Sequence, residues 1–122
     1  MAKILIVDDE PGLRLLYRDE LTEEGYQVVT AADSPEATHF LAGGDIDLVV
    51  LDIQLQQENG LDALQKMVKA HKDLPVILCS AYDSYKDDFS SWLADAYVVK
   101  SSDLTELKDQ VARLLAAKAA KK

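Results

Sequence analysis

The sequence predicts an α/β protein, a doubly wound parallel sheet assembled from five successive β-α units. Two observations carry this. First, Lys3-Ile4-Leu5-Ile6-Val7, Leu48-Val49-Val50-Leu51 and Val76-Ile77-Leu78-Cys79 are short, nearly unbroken apolar runs. That pattern suits strands buried on both faces rather than one. Second, the segments between the runs carry apolar residues at helical spacing. Strand-helix alternation implies right-handed crossovers with helices on both faces of the sheet.

In order, the first strand ends at Asp8-Asp9-Glu10, and Pro11 suits the first turn of a helix, where its missing N–H costs nothing. Leu13, Leu16, Tyr17 and Leu21 keep a helical period, with Arg14, Arg18, Asp19 and Glu23 on the other face. Gly25 stops that helix. Tyr26-Gln27-Val28-Val29-Thr30 is a β-prone run. Asp33-Ser34-Pro35-Glu36 starts the second helix, with Asp33 and Glu36 at capping-box spacing. Ala37, Phe40 and Leu41 form its short stripe, and Gly43-Gly44 end it. After the central strand, Gln54 to Gly60 reads as a polar loop. Leu61, Leu64, Met67 and Val68 mark the third helix. A short helix is expected within Ala81 to Ala94, where Tyr85, Phe89, Trp92 and Leu93 keep the period. Ala96-Tyr97-Val98-Val99 is the fifth strand. Ser101-Ser102-Asp103 caps the last helix, whose apolar face is Leu104, Leu107, Val111, Leu114 and Leu115.

A chain of 122 residues, 48% apolar and 29% charged, fits one domain with a real core. No leader peptide or membrane-spanning run is expected. One cysteine, Cys79, excludes an internal disulfide framework and suits a reducing, cytoplasmic setting. The net charge of −9 argues against a nucleic-acid surface. The basic cluster of Lys118, Lys121 and Lys122 is expected to solubilise a helix end and complement its dipole.

In open parallel sheets, ligands bind outside the carboxyl ends of the strands. Asp8, Asp9, Asp52, Ser80 and Lys100 all fall at those ends. Converging carboxylates repel unless a cation sits among them, and hard oxygen donors suit Mg²⁺. Lys100 adds a positive charge and Ser80 a hydroxyl. Together they form a cradle in which a carboxylate can receive a phosphoryl group. Each residue also has a plainer role open to it. Asp8-Asp9 suits a helix start, Asp52 a turn, Ser80 a cap and Lys100 a solvated end. Their coincidence on one edge favours the site. Cys79 reads as buried filler, and His39 and His71 as helix-surface residues.

The ordered pieces Ile6-Val7-Asp8-Asp9-Glu10, Leu51-Asp52, Gly60-Leu61, Ser80-Ala81 and Tyr97-Val98-Val99-Lys100 resemble the receiver domain of bacterial two-component response regulators. The likeness is to single-domain, chemotaxis-regulator-like members. It implies the flavodoxin-like receiver fold, with strand order 2-1-3-4-5 over residues 1–118 and a basic tail at 119–122. It implies that Asp52 is phosphorylated by a sensor histidine kinase or phosphotransfer protein. Asp9, Asp52 and the Gln54 carbonyl would ligate Mg²⁺, with Asp8 acting through water. Ser80 and Lys100 would contact the phosphoryl oxygens. Tyr97 would be the aromatic switch, although packing alone also suits a strand tyrosine. The chain departs from the family at Gln56 and Ser101, where proline is usual. The second change puts the cis peptide expected after Lys100 in doubt. Gln54 and Tyr82 stand where the family tunes phosphate lifetime.

The leading expectation is a signalling switch that catalyses only its own phosphotransfer and dephosphorylation. It would act on a downstream protein through contact, without nucleic acid or membrane, unless the chain is a fragment of a longer regulator. Two alternatives differ in class. A degenerate receiver would bind partners without phosphate. A phosphohydrolase of the haloacid-dehalogenase type needs a second acid two residues after its nucleophile, where Gln54 stands. A flavin domain is disfavoured, because Asp8-Asp9-Glu10 is electrostatically wrong for a phosphate-cradling loop.

Overall fold

Strand β1 (Lys3–Val7) lies between β2 (Gln27–Ala31) and β3 (Leu48–Asp52), and pairs with both in parallel. Beyond β3 come β6 (Val76–Ser80) and β7 (Ala96–Val99), also parallel. The sheet order is therefore β2-β1-β3-β6-β7, the doubly wound order expected. The computed structural model describes residues 2–52, 54–55, 58–71, 73–80, 94–99 and 104–120. The helix expected within 81–94 lies almost wholly outside them, as do the Ser101-Ser102-Asp103 cap and Lys100.

Four helices are described: α1 (Pro11–Glu23), α2 (Ser34–Ala42), α3 (Gly60–Ala70) and α4 (Thr105–Ala120). The two-fold alternation of a strand sends successive side chains to opposite faces. Leu5, Val7, Val49, Leu51, Val76 and Leu78 face one way, and pack with Ala37 and Leu41 of α2 and Met67 of α3. Ile4, Ile6, Leu48, Val50, Ile77 and Cys79 face the other, against Tyr17 and Leu21 of α1 and Leu107, Val111 and Leu114 of α4. Both faces are covered, so the central strands show no polar alternation in their sequence.

The helix ends follow their residues. The Asp33 carboxylate accepts the Glu36 N–H at 3.0 Å, capping α2. Gly25 adopts φ +96°, a left-handed conformation that glycine enters without strain. Its N–H donates to the Thr22 carbonyl at 3.0 Å, and the Tyr26 N–H donates to the Leu21 carbonyl at 3.3 Å. This paired pattern closes α1 as a Schellman motif.

Four expectations are corrected. Within the span read as a polar loop, β4 (Gln54–Leu55) pairs antiparallel with β5 (Glu58–Asn59). Gly60 opens α3 rather than closing that loop. Strand β2 runs one residue later, from Gln27 to Ala31, because Tyr26 belongs to the α1 closure. Leu16 remains 37% exposed beside Leu15, while Tyr17 and Leu21 carry the buried stripe of α1.

Far from the acid residues, Asp47 ties three elements together. Its carboxylate accepts the Lys3 N–H at 2.8 Å, and its own N–H donates back to the Lys3 carbonyl at 2.8 Å. Lys118, expected to serve a solvated helix end, instead donates to the Asp47 carbonyl at 3.3 Å and pairs with its carboxylate at 3.6 Å. Helix α4 is also held to α1 where Lys108 meets Glu20 at 3.1 Å.

Candidate functional site

Asp8 follows the last residue of β1, and Asp52 is the last residue of β3. The two strands are neighbours, so the two acids leave the sheet side by side. Each continues the alternation of its strand: Ile4 and Ile6 lead to Asp8, and Leu48 and Val50 lead to Asp52. Both series point to the α1/α4 face. Asp9 completes the group, with one carboxylate oxygen from each of the three within 4.8 Å of the others.

Asp8 is 2% exposed and Asp52 4%, while Asp9 is half-buried. Three ionised groups at this spacing repel by about 3 kcal/mol per pair at an effective dielectric near 20. The surroundings offset part of that. The Asp8 carboxylate accepts the Glu10 N–H at 2.9 Å. Arg14 folds back from the first turn of α1 and donates to the Asp8 carbonyl at 2.7 Å, which brings a guanidinium to the acid loop. The Asp8 N–H donates to the Ala31 carbonyl at 3.1 Å and so extends the β1–β2 ladder past β1. Asp8 is therefore fixed at backbone and side chain before any ligand arrives. An all-oxygen donor set, pre-positioned and partly open at Asp9, fits a hard divalent cation.

The remaining expected residues fall around this group. Gln54 lies in β4, two residues past Asp52, and Ser80 is the last residue of β6. Tyr97 pairs in register with Leu78 and packs on the α2/α3-side core. Cys79 is buried and pairs in register with Asp52. Two neighbours of the acids stand out only in the structure. Arg14 reads from periodicity as a solvent-face residue, yet it reaches the acid loop. Tyr17 reads as core filler. Burial pushes its phenol above the ordinary range, and the negative charge of Asp8, Asp52 and Glu10 pushes it further.

The chain as a whole has counterparts among known proteins. The profile of the response regulator receiver domain matches residues 4–112. The chain belongs to the response regulator receiver domain family. This receiver domain is similar to the response regulator TrrA from Thermotoga maritima, whose crystal structure was determined in complex with Mg(2+)-BeF. The two share 46% identity over 93% of this chain and 99% of that one, with a TM-score of 0.90. A crystal structure of the histidine kinase ThkA in complex with TrrA matches at 47% identity and a TM-score of 0.89, covering 94% of this chain and 99% of the matched chain. The transcriptional regulator NtrC of Rhizobium meliloti is 35% identical over 117 residues, which is 94% of the receiver domain and 24% of that regulator. The chain thus spans about a quarter of that relative's length. Receiver domains are signalling domains. Among the described residues, no helix is long and apolar enough to cross a membrane.

Proposed function

We propose that this receiver domain is a phosphorylation switch in which Asp52 is the phosphoacceptor. The observation that carries the reading is the convergence of Asp8, Asp9 and Asp52 within 4.8 Å, with Asp52 at the end of the central strand. Asp52 flanks the group from β3, and the two consecutive acids face it from the end of β1. In this reading Asp8 and Asp9 hold the cation, and Asp52 shares it through one oxygen while the other attacks. Mg²⁺ at this position would neutralise the oxygens of the incoming phosphoryl group. Asp9, Asp52 and the Gln54 carbonyl would ligate it directly, and Asp8 through water.

A carboxylate oxygen of Asp52 forms the new O–P bond as the P–N bond of a phosphohistidine breaks. The electron pair returns to the imidazole nitrogen. Ser80 and Lys100 contact the phosphoryl oxygens, and Tyr97 follows Ser80 as the switch, altering the face that a downstream protein binds. The phosphodonor is a sensor histidine kinase or phosphotransfer protein, a reading supported by the kinase complex of the similar TrrA. The functional unit covers residues 1–118, with 119–122 as a basic tail, and works in the cytoplasm without nucleic acid or membrane. Turnover is limited to the domain's own phosphotransfer and dephosphorylation, because Gln54 stands where a phosphohydrolase needs a second acid.

A phosphotransfer assay tests this. A ³²P-labelled histidine kinase domain should lose label to the wild-type chain in the presence of Mg²⁺. Transfer should stop on chelation with EDTA and fall by at least a hundredfold in Lys100→Ala. Transfer that survives EDTA unchanged would refute the cation's part in it.

A further inference from the structure

We infer that Arg14 is a positioning residue of the acid site: it grips the turn on both sides of Asp9 and so sets the direction from which that carboxylate meets a cation. The inference rests on reading Asp8, Asp9 and Asp52 as a Mg²⁺ site, and it deepens that reading by naming what holds the half-buried acid in place.

The sheet itself places two of the three acids. Asp52 is the last residue of β3, and the Asp8 N–H donates to the Ala31 carbonyl at 3.1 Å, at the end of β2. Asp9 belongs to neither β1 nor α1 and is the half-buried member of the group. The carbonyls one residue to either side of it both accept from Arg14. The Arg14 guanidinium donates to the Asp8 carbonyl at 2.7 Å, and the Arg14 N–H donates to the Glu10 carbonyl at 3.1 Å. The Glu10 N–H closes the same turn on the Asp8 carboxylate at 2.9 Å. A peptide group is planar, so holding the Asp8 carbonyl fixes the Asp8–Asp9 peptide and the orientation from which the Asp9 side chain departs. The guanidinium bond is short and charge-assisted, the stronger kind of hydrogen bond. Arg14 is half-buried and lines a cleft between α1 and the end of β2 with Pro11, Arg18 and Thr30. At that depth salt and water screen its charge less than in the open. Helix stability does not account for the residue, because a cation in the first turn opposes the helix dipole.

The consequence has a definite sign. As a charge, Arg14 competes with Mg²⁺, and losing the charge alone would tighten binding. As a brace, its loss frees the Asp8–Asp9 peptide and weakens binding. Removing a group that orients a metal ligand typically costs about 10- to 100-fold in affinity. Arg14→Met keeps the length of the side chain without charge or donor, and should raise the Mg²⁺ Kd about tenfold. Arg14→Lys retains a charged donor and should recover most of that loss. The measurement is a calorimetric MgCl₂ titration of the whole chain, with melting temperatures in EDTA recorded alongside. A merely structural arginine would lower the melting temperature of Arg14→Met and leave its Kd unchanged. One acting by charge alone would give Arg14→Met a lower Kd. Either result, with wild type binding Mg²⁺, overturns the inference and leaves the metal site standing. A wild type that takes up no Mg²⁺ overturns the metal site itself, and the inference with it.

Discussion

Asp52 is 4% exposed at the end of a strand whose other four residues are fully or almost fully buried. A carboxylate is costly to dry, so a strand end serving only as a turn would keep its acid in water. Asp8 is as dry, and both its backbone and its side chain are fixed by neighbours. The group that titrates against these acids is Tyr17, raised above its ordinary value of 10.0 first by burial and then by nearby negative charge. The sign follows from linkage: above pH 10 the unfolded chain releases the phenolic proton while the folded chain keeps it. The stability this contributes is fully present below about pH 10 and is lost as pH rises toward the folded value. Urea midpoints measured between pH 8 and pH 11.5 should therefore fall at the alkaline end in wild type. In Tyr17→Phe that alkaline fall should be smaller. Parallel pH profiles for the two proteins would show that the phenol does not titrate as its burial demands.

At the scale of elements, each boundary answers to a side chain or a backbone conformation that can be changed singly. Helix α2 starts at the Asp33 cap, and α1 closes at the positive φ of Gly25. Asp33→Ala leaves the Glu36 N–H without its acceptor and should cost about 1 kcal/mol. Gly25→Ala meets open space but must hold a left-handed φ, and should cost about 1 kcal/mol as well. Chemical denaturation should show each as a lower midpoint with an unchanged slope. One substitution acts at the start of α2 and the other at the end of α1, so the double variant should be close to additive. The hairpin of β4 and β5 is a different kind of element. It is made of Gln54, Leu55, Glu58 and Asn59, residues without a β-prone pattern, and main-chain pairing defines it. That is why periodicity finds a loop there.

At the scale of the molecule, the convergence of three acids follows from neighbouring parallel strands whose apolar runs stop at acids, β1 before Asp8 and β3 at Asp52. Runs such as Leu48 to Leu51 are legible because burial on both faces removes polar residues altogether. The same property hides which way each side chain points. Only the pairing of β1 with β3 shows that Asp8 and Asp52 share one face. Arg14 escaped the pattern because a long side chain can fold back on its own helix start, which a periodicity of positions does not register. Lys118 escaped it because its partner, Asp47, is distant in sequence. The account turns on Asp52 as the phosphoacceptor, and intact-mass spectrometry tests that most directly. Incubated with acetyl phosphate and Mg²⁺, the wild-type chain should gain one phosphoryl mass and Asp52→Asn should gain none. Equal phosphorylation of the two proteins, or none in wild type, would contradict it.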